Sequence, residues 1–334
     1  WESIDERLSE LMEEVDAIRA GMDDAGDDDV PLAEAIERVL RRWKLKPHER
    51  PAIDWAIGST IEHEYAADVR DLSLYSWDAD DGFEGGDVIF PQGYDAIVDR
   101  LAEGLDIRLR HEVTRVTFGE DGVEVRTRAG VFRAAQAVVT LPLGVLKAGT
   151  VEFVPALPEE KQEAISRLGF GLLNKAWLRF PEPFWDRDIH TFGYIPDVGQ
   201  PHEWIEWVSL LPFTGEPVLC GFNAGSVAVR LESLSDDEMV ASAMQVLRRI
   251  YGSQVPDPDA AVITRWLADP HARGSYSSIA PDAMPLDHDL LSEPVGTSLF
   301  FAGEATDSDF SGPVHGAYVS GLRAADEVRG VRSW

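Results

Sequence analysis

The C-terminal stretch from Ser298 to Arg329 constrains the fold of this chain more than any other. Residues 299–302 form an apolar run that suits a buried strand, and Gly303 ends it. A turn-rich segment follows, after which apolar or small residues recur at helical spacing. They are Val314, Ala317, Tyr318, Gly321, Leu322, Ala325 and Val328. Pro313 suits the first helical position and Ser311 is a cap candidate. The pattern predicts a strand, a glycine turn, a loop and a helix.

The start of this helix is a candidate ligand site. The first N–H groups of a helix are free and its dipole is positive there, which favours an electron-rich group. Gly316 and Gly321 predict that the helix lies close to a ligand or to another backbone. An ordinary strand–helix unit at the end of an α/β domain would show the same periodicity.

The residues of this stretch resemble the C-terminal flavin signature of the flavin-dependent amine oxidases. That family includes polyamine oxidases, monoamine oxidases and lysine-specific histone demethylases. Its signature is an apolar strand, A-G-E-x-T, a short loop, V-H-G-A and S-G-x-R-x-A, and residues 302–306, 314–317 and 320–325 match. The resemblance implies a mixed α/β (α+β), two-domain, FAD-linked fold. The residues implied at the cofactor here are Gly303, Glu304, Pro313 and Val314, with Glu304 accepting hydrogen bonds from cofactor hydroxyls.

One lysine stands inside an apolar, strand-like run at residues 168–186. A buried lysine must be paired, or its pKa falls; the alternative is a side chain that snorkels to the surface. The chain has only five lysines, so a chance position here is improbable. Residues 169–175 match the G-x-G-x-x-N-K pattern of the family, whose lysine hydrogen-bonds a water beside the flavin. Lys175 is therefore predicted to be catalytic.

Residues 266–277 match the family pattern W-x-x-D-P-x-x-x-G-S-Y-S. The resemblance implies that Trp266 packs near the flavin and that Tyr276 forms one wall of an aromatic cage for the substrate amine. An exposed loop tyrosine is the alternative. The sequence departs from the family at two positions. Pro313 stands where relatives often have a threonine or an aromatic residue, and His271 stands where they often have an aromatic residue. The second wall of the aromatic cage and the substrate class therefore stay open.

An acidic and aromatic segment, residues 77–85, precedes Gly93 and Tyr94. It resembles W-D-x-D-D-x-F-x-G of histone demethylases and plant polyamine oxidases, where acidic residues lie along the substrate channel. The implied substrate-binding residues are Trp77, Asp78, Asp80 and Asp81. Carboxylates and ring faces attract ammonium groups, although a solvated turn has the same composition. The net charge of −30 argues against nucleic-acid binding. It fits a cationic substrate drawn in by the overall field, but a solubility or salt adaptation is the favoured explanation.

Three amphipathic helices are predicted in residues 1–20, 32–43 and from Pro51, with a loop at 22–31. A further helix is predicted from Tyr94 to Leu101. Short strands are then expected at 105–109, 112–118, 122–128 and 131–139. These strands resemble the part of the flavin domain that carries the adenine end of FAD. In it Val113 would meet the adenine, and Thr140 and Pro142 would lie beside the cofactor.

In the later part of the chain, the sequence predicts a helix that begins at Pro158 and strands at 204–211 and 217–222. It also predicts a helix that is capped by Ser235. The resemblance implies four segments. They are 1–84, the helical part of the substrate domain; 85–150, part of the FAD-binding domain; 151–290, the rest of the substrate domain; and 291–334, the C-terminal part of the FAD-binding domain.

The family normally begins with a Rossmann βαβ unit carrying G-x-G-x-x-G, and neither is found in this sequence. The fold is thus expected to be incomplete at its N-terminus. An N-terminal segment omitted from the chain, a natural truncation that lost FAD, or a second chain that completes the site would explain this, and we expect the first. Cys220 is the only cysteine, so no cysteine metal cluster, and no metal site, is expected. No apolar run approaches the ~20 residues of a membrane helix, and a cytoplasmic protein without membrane or nucleic-acid partners is expected.

The resemblance implies oxidative deamination of a polyamine or another primary or secondary amine, with O2 as acceptor. The products would be an imine or aldehyde and H2O2. Two alternatives stay open: an L-amino-acid oxidase, whose arginine for the substrate carboxylate cannot be placed, and a non-catalytic binding module that has lost FAD.

Overall fold

The structure is a computed structural model that describes residues 2–79 and 88–330. Asp80 and Asp81, two predicted substrate-channel acids, lie outside the described residues. The N-terminal part is helical, as predicted. In chain order it contains α1 (Glu2–Ala25), α2 (Leu32–Trp43), α3 (Arg50–Ile57), a π-helical turn (Gly58–Glu62), α4 (His63–Tyr65) and a 3-10 turn (Val69–Asp71).

Helices α1 and α2 pack together through apolar side chains such as Leu11, Val15 and Val39, which are fully buried. Helix α1 continues into the segment 22–31 that was predicted to be a loop. It ends only at Gly26, whose positive φ of 69° suits glycine. The acidic residues of the last turn did not stop the helix because they remain exposed to water.

A four-stranded sheet follows. Its region contains α5 (Asp95–Ala102), β1 (Val113–Gly119), β2 (Gly122–Thr127), β3 (Val131–Ala134), β4 (Ala137–Val139), α6 (Leu143–Lys147) and β5 (Glu152–Val154). The order is β3-β2-β1-β5, with β5 parallel to β1. The strand predicted at 105–109 is wrong: its alternating apolar residues are exposed and pair with no described strand. The strand predicted at 131–139 is two strands that belong to different sheets.

The central part of the chain builds a five-stranded antiparallel sheet in the order β11-β7-β10-β9-β8. Its elements are α7 (Glu159–Arg167), β6 (Gly169–Phe170), β7 (Leu173–Arg179), β8 (Thr191–Gly193), β9 (Glu206–Ser209), α8 (Leu211–Thr214), β10 (Val218–Ala224), α9 (Gly225–Glu232), α10 (Asp236–Tyr251) and β11 (Ala260–Ile263). The predicted cap of α10 is confirmed, because Ser235 and Glu238 form a reciprocal capping box.

The two faces of this sheet differ. Along β7, residues such as Ala176 and Leu178 are fully buried and belong to the same apolar cluster as Trp207 of β9 and Met239 of α10. Side chains alternate between the faces of a strand, so the residues between them point the other way. That other face is only half-buried and carries Lys175.

The C-terminal part contains β12 (Ser277–Ser278), which pairs with β6, α11 (Leu286–Ser292), β13 (Leu299–Phe301), a 3-10 turn (Glu304–Thr306) and α12 (Val314–Val328). Strand β13 is parallel to β4. The predicted strand, turn, loop and helix are confirmed, but α12 begins at Val314, and Ser311 makes no capping bond to it. None of the described helices is both long and apolar enough to cross a membrane.

Candidate functional site

A cavity of about 240 Å³ opens at the carboxyl ends of the parallel strands β4 and β13. In α/β sheets, ligands bind at this edge. Among its lining residues are four of the predicted cofactor residues: Thr140, Pro142, Gly303 and Glu304. The backbone at Gly303 has a φ of 137°, a conformation that favours glycine. The fold therefore brings the segments that follow β4 and β13 together around one cavity.

The Glu304 carboxyl is fixed by one of its oxygens. Its Oε2 accepts hydrogen bonds from the Ser277 hydroxyl (2.6 Å), the Ser277 N–H (3.3 Å) and the Gly312 N–H (2.8 Å). Its Oε1 has no hydrogen-bond partner among the described residues. Burial raises the pKa of Glu304, while the hydrogen bonds from Ser277 and Gly312 oppose that shift. Three hydrogen bonds thus fix one carboxyl oxygen of Glu304 at the edge of the cavity.

The start of α12 lies beside this cavity, and Ala317 in its first turn lines it. Pro313 occupies the N-cap without a side-chain capping bond, so the first N–H groups of the helix have no intrahelical partner. A Cβ on Gly316 would stand 1.9 Å from the Phe310 carbonyl oxygen, which explains the glycine. At Gly321 no described atom lies that close, so the predicted close approach is not seen there. Val314 itself is exposed.

Lys175 differs from the other two lysines of the folded core. Lys147 donates to three carbonyls at the end of α7, and Lys161 donates to two carbonyls at the end of α11. Lys175 is half-buried, and its Nζ lies 5.3 Å from the centre of the Phe222 ring. Its Nζ makes no hydrogen bond or ion pair with any described residue. The Lys175 ammonium group is therefore available to a group that does not belong to the described residues.

The residue before Lys175 organises the neighbouring turn. Asn174 is 1% exposed, and its Nδ2 donates to the Glu232 carboxylate (2.6 Å). Its Oδ1 accepts from the Thr264 hydroxyl (3.1 Å) and the Trp266 N–H (3.2 Å). Thr264 in turn accepts from the Lys175 N–H (2.8 Å). This buried network ties Trp266, whose own side chain is 42% exposed, to the strand that carries Lys175.

Tyr276 is held between the helical part and the β6–β12 pair. Its Oη donates to the His63 carbonyl (2.9 Å), and its own carbonyl accepts from the Gly171 N–H (2.8 Å). Burial raises the pKa of the Tyr276 phenol. The structure thus shows a partly buried tyrosine rather than an exposed loop residue. The hydroxyl of its neighbour Ser277 donates a hydrogen bond to Glu304, which lines the cavity. Tyr276 therefore connects the surroundings of Lys175 with the surroundings of the cavity.

Three site residues were missed by the sequence analysis. His63 Nδ1 lies 2.7 Å from Glu206 Oε2, and the His63 and Phe222 rings are 6.2 Å apart between centres. All three border the Lys175 face of the sheet. The available signal was the charged Glu206 within the tryptophan-rich stretch at 204–207, whose other residues are apolar.

Three other predicted residues make contacts of their own. Val113 begins β1 and packs at the edge of the apolar cluster of the four-stranded sheet; it is not among the described residues that line the cavity. Trp77 packs edge-on against Tyr65 of α4, with ring centres 5.3 Å apart. Asp78 forms a 2.6 Å ion pair with Arg19 of α1. Within the described residues, no group of His, Cys, Asp and Glu side chains could hold a metal ion.

Comparison with known proteins identifies the chain's relatives. The family model for flavin-containing amine oxidoreductases matches residues 66–329. A rice protein (Oryza sativa subsp. japonica), "Lysine-specific histone demethylase 1 homolog 1", is 42% identical over 91% of this chain. "Polyamine oxidase 2" of Arabidopsis thaliana is 37% identical over 96% of this chain. The chain spans 37% of the rice protein and 64% of the Arabidopsis protein.

Among solved structures, cyclohexylamine oxidase from Brevibacterium oxydans IH-35A matches with a TM-score of 0.69 at 22% identity. The match covers 84% of this chain and 64% of that one. At this identity the likeness concerns the fold alone, and it confirms the predicted mixed α/β amine oxidase fold. Because the family match spans most of the sequence, the chain belongs to the flavin-containing amine oxidoreductase family.

Proposed function

We propose that this chain forms the substrate side and part of the cofactor side of an FAD-dependent amine oxidase that uses O2. The observation that carries the proposal is the Lys175 ammonium group, which lies beside the Phe222 ring without a partner among the described residues. When bound, the flavin would accept a hydride equivalent from the carbon beside the amine nitrogen, with an imine or aldehyde and H2O2 as the final products.

The residues of the chain have distinct proposed roles. Lys175 holds a water molecule at the reacting centre, and Trp266 and Tyr276 border that centre. Ring faces attract cations, so Tyr276 orients the substrate amine. Glu304 accepts a hydrogen bond from a cofactor hydroxyl, and the start of α12 at Pro313 and Val314 stabilises negative charge. Thr140, Pro142 and Gly303 shape the cavity around the cofactor, and Val113 is proposed at its adenine end.

The proposed division into domains agrees with the five-stranded sheet but not with β5 (Glu152–Val154), which pairs with β1 of the segment 85–150. All strands of the five-stranded sheet come from residues 151–290, which we assign with 1–84 to the substrate domain. Strand β4 from 85–150 pairs with β13 from 291–334, and this supports a shared cofactor domain.

A further segment, on the same or another chain, is proposed to complete the flavin site. Parallel sheets are normally extended and covered on both faces, whereas β4 and β13 form a two-stranded pair within the described residues. Apolar side chains nearby are about half exposed or more. They include Tyr318 and Leu322 on α12, which contacts β13. This surface is suited to cover by a βαβ unit.

The substrate is proposed to be a free amine, with polyamines first, since one relative is named a polyamine oxidase. A methylated lysine of a peptide is the second candidate, because relatives up to 42% identical are named histone demethylases. An acidic chain attracts either cation by its overall field.

The test is a visible spectrum of the full-length gene product, followed by an H2O2-coupled screen. The screen contains spermine, spermidine, putrescine, aromatic amines, L-amino acids and a methyl-lysine peptide. Flavin absorption with amine-dependent H2O2 is expected. The absence of flavin bands after incubation with excess FAD would refute the proposal, and activity on L-amino acids alone would favour the alternative oxidase.

A further inference from the structure

We propose that Glu206, oriented by His63, is a specificity-determining residue that binds the second cationic group of a doubly charged amine. The inference rests on the proposed function, because it assumes that the amine reacts near Lys175. It names the substrate class as amines with a second ammonium group several carbons from the reacting one.

Strand register places Glu206 in line with Lys175. Lys175 of β7 lies opposite Phe222 of β10, and Phe222 lies opposite Glu206 of β9. Residues directly opposite on antiparallel strands point to the same face. Each strand spacing is ~4.8 Å, so about 10 Å separates the backbones of Lys175 and Glu206. A single face of the sheet therefore carries a positive group, an aromatic ring and a negative group in a row.

This row lies on the face of the sheet opposite the buried apolar cluster. Trp207 and Asn223, the neighbours of Glu206 and Phe222 in their strands, are buried on the opposite side of the sheet. Helix α4 lies over the row, because His63 contacts both Phe222 and Glu206. Tyr276, one of the proposed substrate-orienting residues, is hydrogen-bonded to the carbonyl of that same histidine.

The charge of Glu206 is available to a ligand. Its Oε2 is 2.7 Å from His63 Nδ1, whereas its Oε1 has no partner among the described residues. A neutral imidazole that donates its Nδ1–H leaves the negative charge of the pair intact. The Glu206 side chain is 32% exposed and that of His63 is 10% exposed. A partly desolvated charge attracts a cation more strongly than an exposed one.

The pair is not needed to attach the helical part to the sheet. Trp55 of α3 donates from its Nε1 to the Ile205 carbonyl (2.9 Å) and packs over Gly193, where a Cβ would come within 2.6 Å of its ring. The Tyr276–His63 bond attaches the helical part to the segment next to the β6–β12 pair as well. Lys175 repels a second cation close to it, while Phe222 offers an apolar surface to the carbons between the two amines. The second ammonium is therefore directed to Glu206.

The test compares 1,4-diaminobutane with n-butylamine in the flavin-loaded, full-length protein and its Glu206→Gln variant. The ratio of kcat/KM for the diamine over the monoamine is expected to fall at least about tenfold. The loss should appear in KM, with kcat within about twofold, because the interaction concerns binding in both the ground and transition states. Glu206→Asp keeps the charge and should keep most of the preference for the diamine.

Two further variants separate specificity from folding. Glu152→Gln removes a carboxylate from the exposed Arg115–Glu152 ion pair of the four-stranded sheet, and it should leave the ratio unchanged. His63→Gln should lower the ratio less than Glu206→Gln, since it acts through the orientation of that carboxylate. An equal fall for both amines, or an unchanged ratio, in a folded Glu206→Gln protein would overturn the inference while the proposed function stands.

If the wild-type protein oxidises no amine, the proposed function fails, and equilibrium dialysis with 1,4-diaminobutane then decides on Glu206 separately. Diamine binding that is lost in Glu206→Gln but kept in Glu152→Gln supports the site. Equal binding to all three proteins refutes it.

Discussion

The five-stranded sheet and the parallel pair of β4 and β13 differ in how far the described residues enclose them. The larger sheet packs one face on α10, with Trp207 and Leu219 fully buried. In the parallel pair Phe301 is equally buried, yet Tyr318 and Leu322 of the adjacent α12 are more than half exposed. The described residues thus enclose one face of the five-stranded sheet, while the helix beside the parallel pair presents apolar surface.

This difference separates two kinds of experiment. Substitutions on the five-stranded sheet should change turnover, substrate choice or local stability without changing flavin affinity. Substitutions beside the parallel pair should change flavin affinity first. Each prediction below can break or sharpen that separation.

The largest effect is expected from Lys175→Met, which removes the ammonium group and retains an apolar chain of similar length. Turnover of the preferred amine should fall by about 10²- to 10⁴-fold, in the range typical of a group that assists proton transfer. Flavin affinity, measured by fluorescence titration of the apoprotein, should stay unchanged. Lys46→Met, at an exposed lysine, is the control. Retained turnover would show that Lys175 is not catalytic, and a parallel loss of flavin would break the separation.

A second prediction concerns Glu62 in the π-helical turn beside His63. Burial raises the pKa of Glu62 from 4.5 to about 7. The folded state therefore keeps a proton that the unfolded chain releases, and stability falls as pH rises from about 4.5 to about 7. Glu62→Gln retains an oxygen for the Val69 N–H and carries no charge. At pH 8 it should raise the free energy of unfolding by up to about 3 kcal/mol, from roughly 1.4 kcal/mol per pKa unit.

At pH 4 the carboxyl is protonated in both states, so the same variant should change little. Urea unfolding at the two pH values measures the difference, with the exposed Glu182→Gln as a control. A gain that is identical at both pH values would mean that the charge of Glu62 is not its cause.

A third prediction tests the network behind Trp266. Asn174→Ala removes the amide and leaves its buried hydrogen-bond partners unpaired. This should lower the free energy of unfolding by about 1–3 kcal/mol. Trypsin should then cleave faster after Arg265, because the turn loses its tie to β7. Urea unfolding and timed proteolysis provide the measurements. Val262→Ala, at a side chain of adjacent β11 that is 64% exposed, should shift stability by no more than about 0.5 kcal/mol. Unchanged cleavage in Asn174→Ala would show that other contacts hold the turn.

The smallest effect is expected beside the parallel pair. Glu304→Gln keeps one oxygen for Ser277 and Gly312 but places an amide group where Oε1 stood. Flavin affinity should fall about tenfold, which corresponds to one hydrogen bond of ~1.4 kcal/mol, with thermal stability of the apoprotein unchanged. Unaltered flavin affinity would remove Glu304 from the proposed cofactor residues.

Local signals in the sequence were sufficient for several elements. The apolar run at 299–302 ends at a glycine, and the helix from Val314 has a clear period, so both were predicted close to their observed bounds. The capping box at Ser235 is a short-range pattern of the same kind. Alternation alone failed at 105–109, because a strand also needs a neighbour with which to exchange hydrogen bonds.

The site depends on contacts that the sequence does not reveal. His63 and Glu206 are 143 residues apart, and Ser277 meets Glu304 across 27 residues. Whether a half-buried lysine has a partner is likewise decided by the fold. Asn174 could be placed in a motif, but its function in holding Trp266 required the geometry of two strands.

The contact between Gly316 and the Phe310 carbonyl restricts how this protein can vary. Every amino acid other than glycine brings a Cβ, and here it would stand 1.9 Å from an oxygen of the backbone. No rotamer relieves such a clash, so position 316 can change only after the loop at 307–313 has moved. The loop at 307–313 and the first turn of α12 can therefore change only together, both in evolution and in protein design.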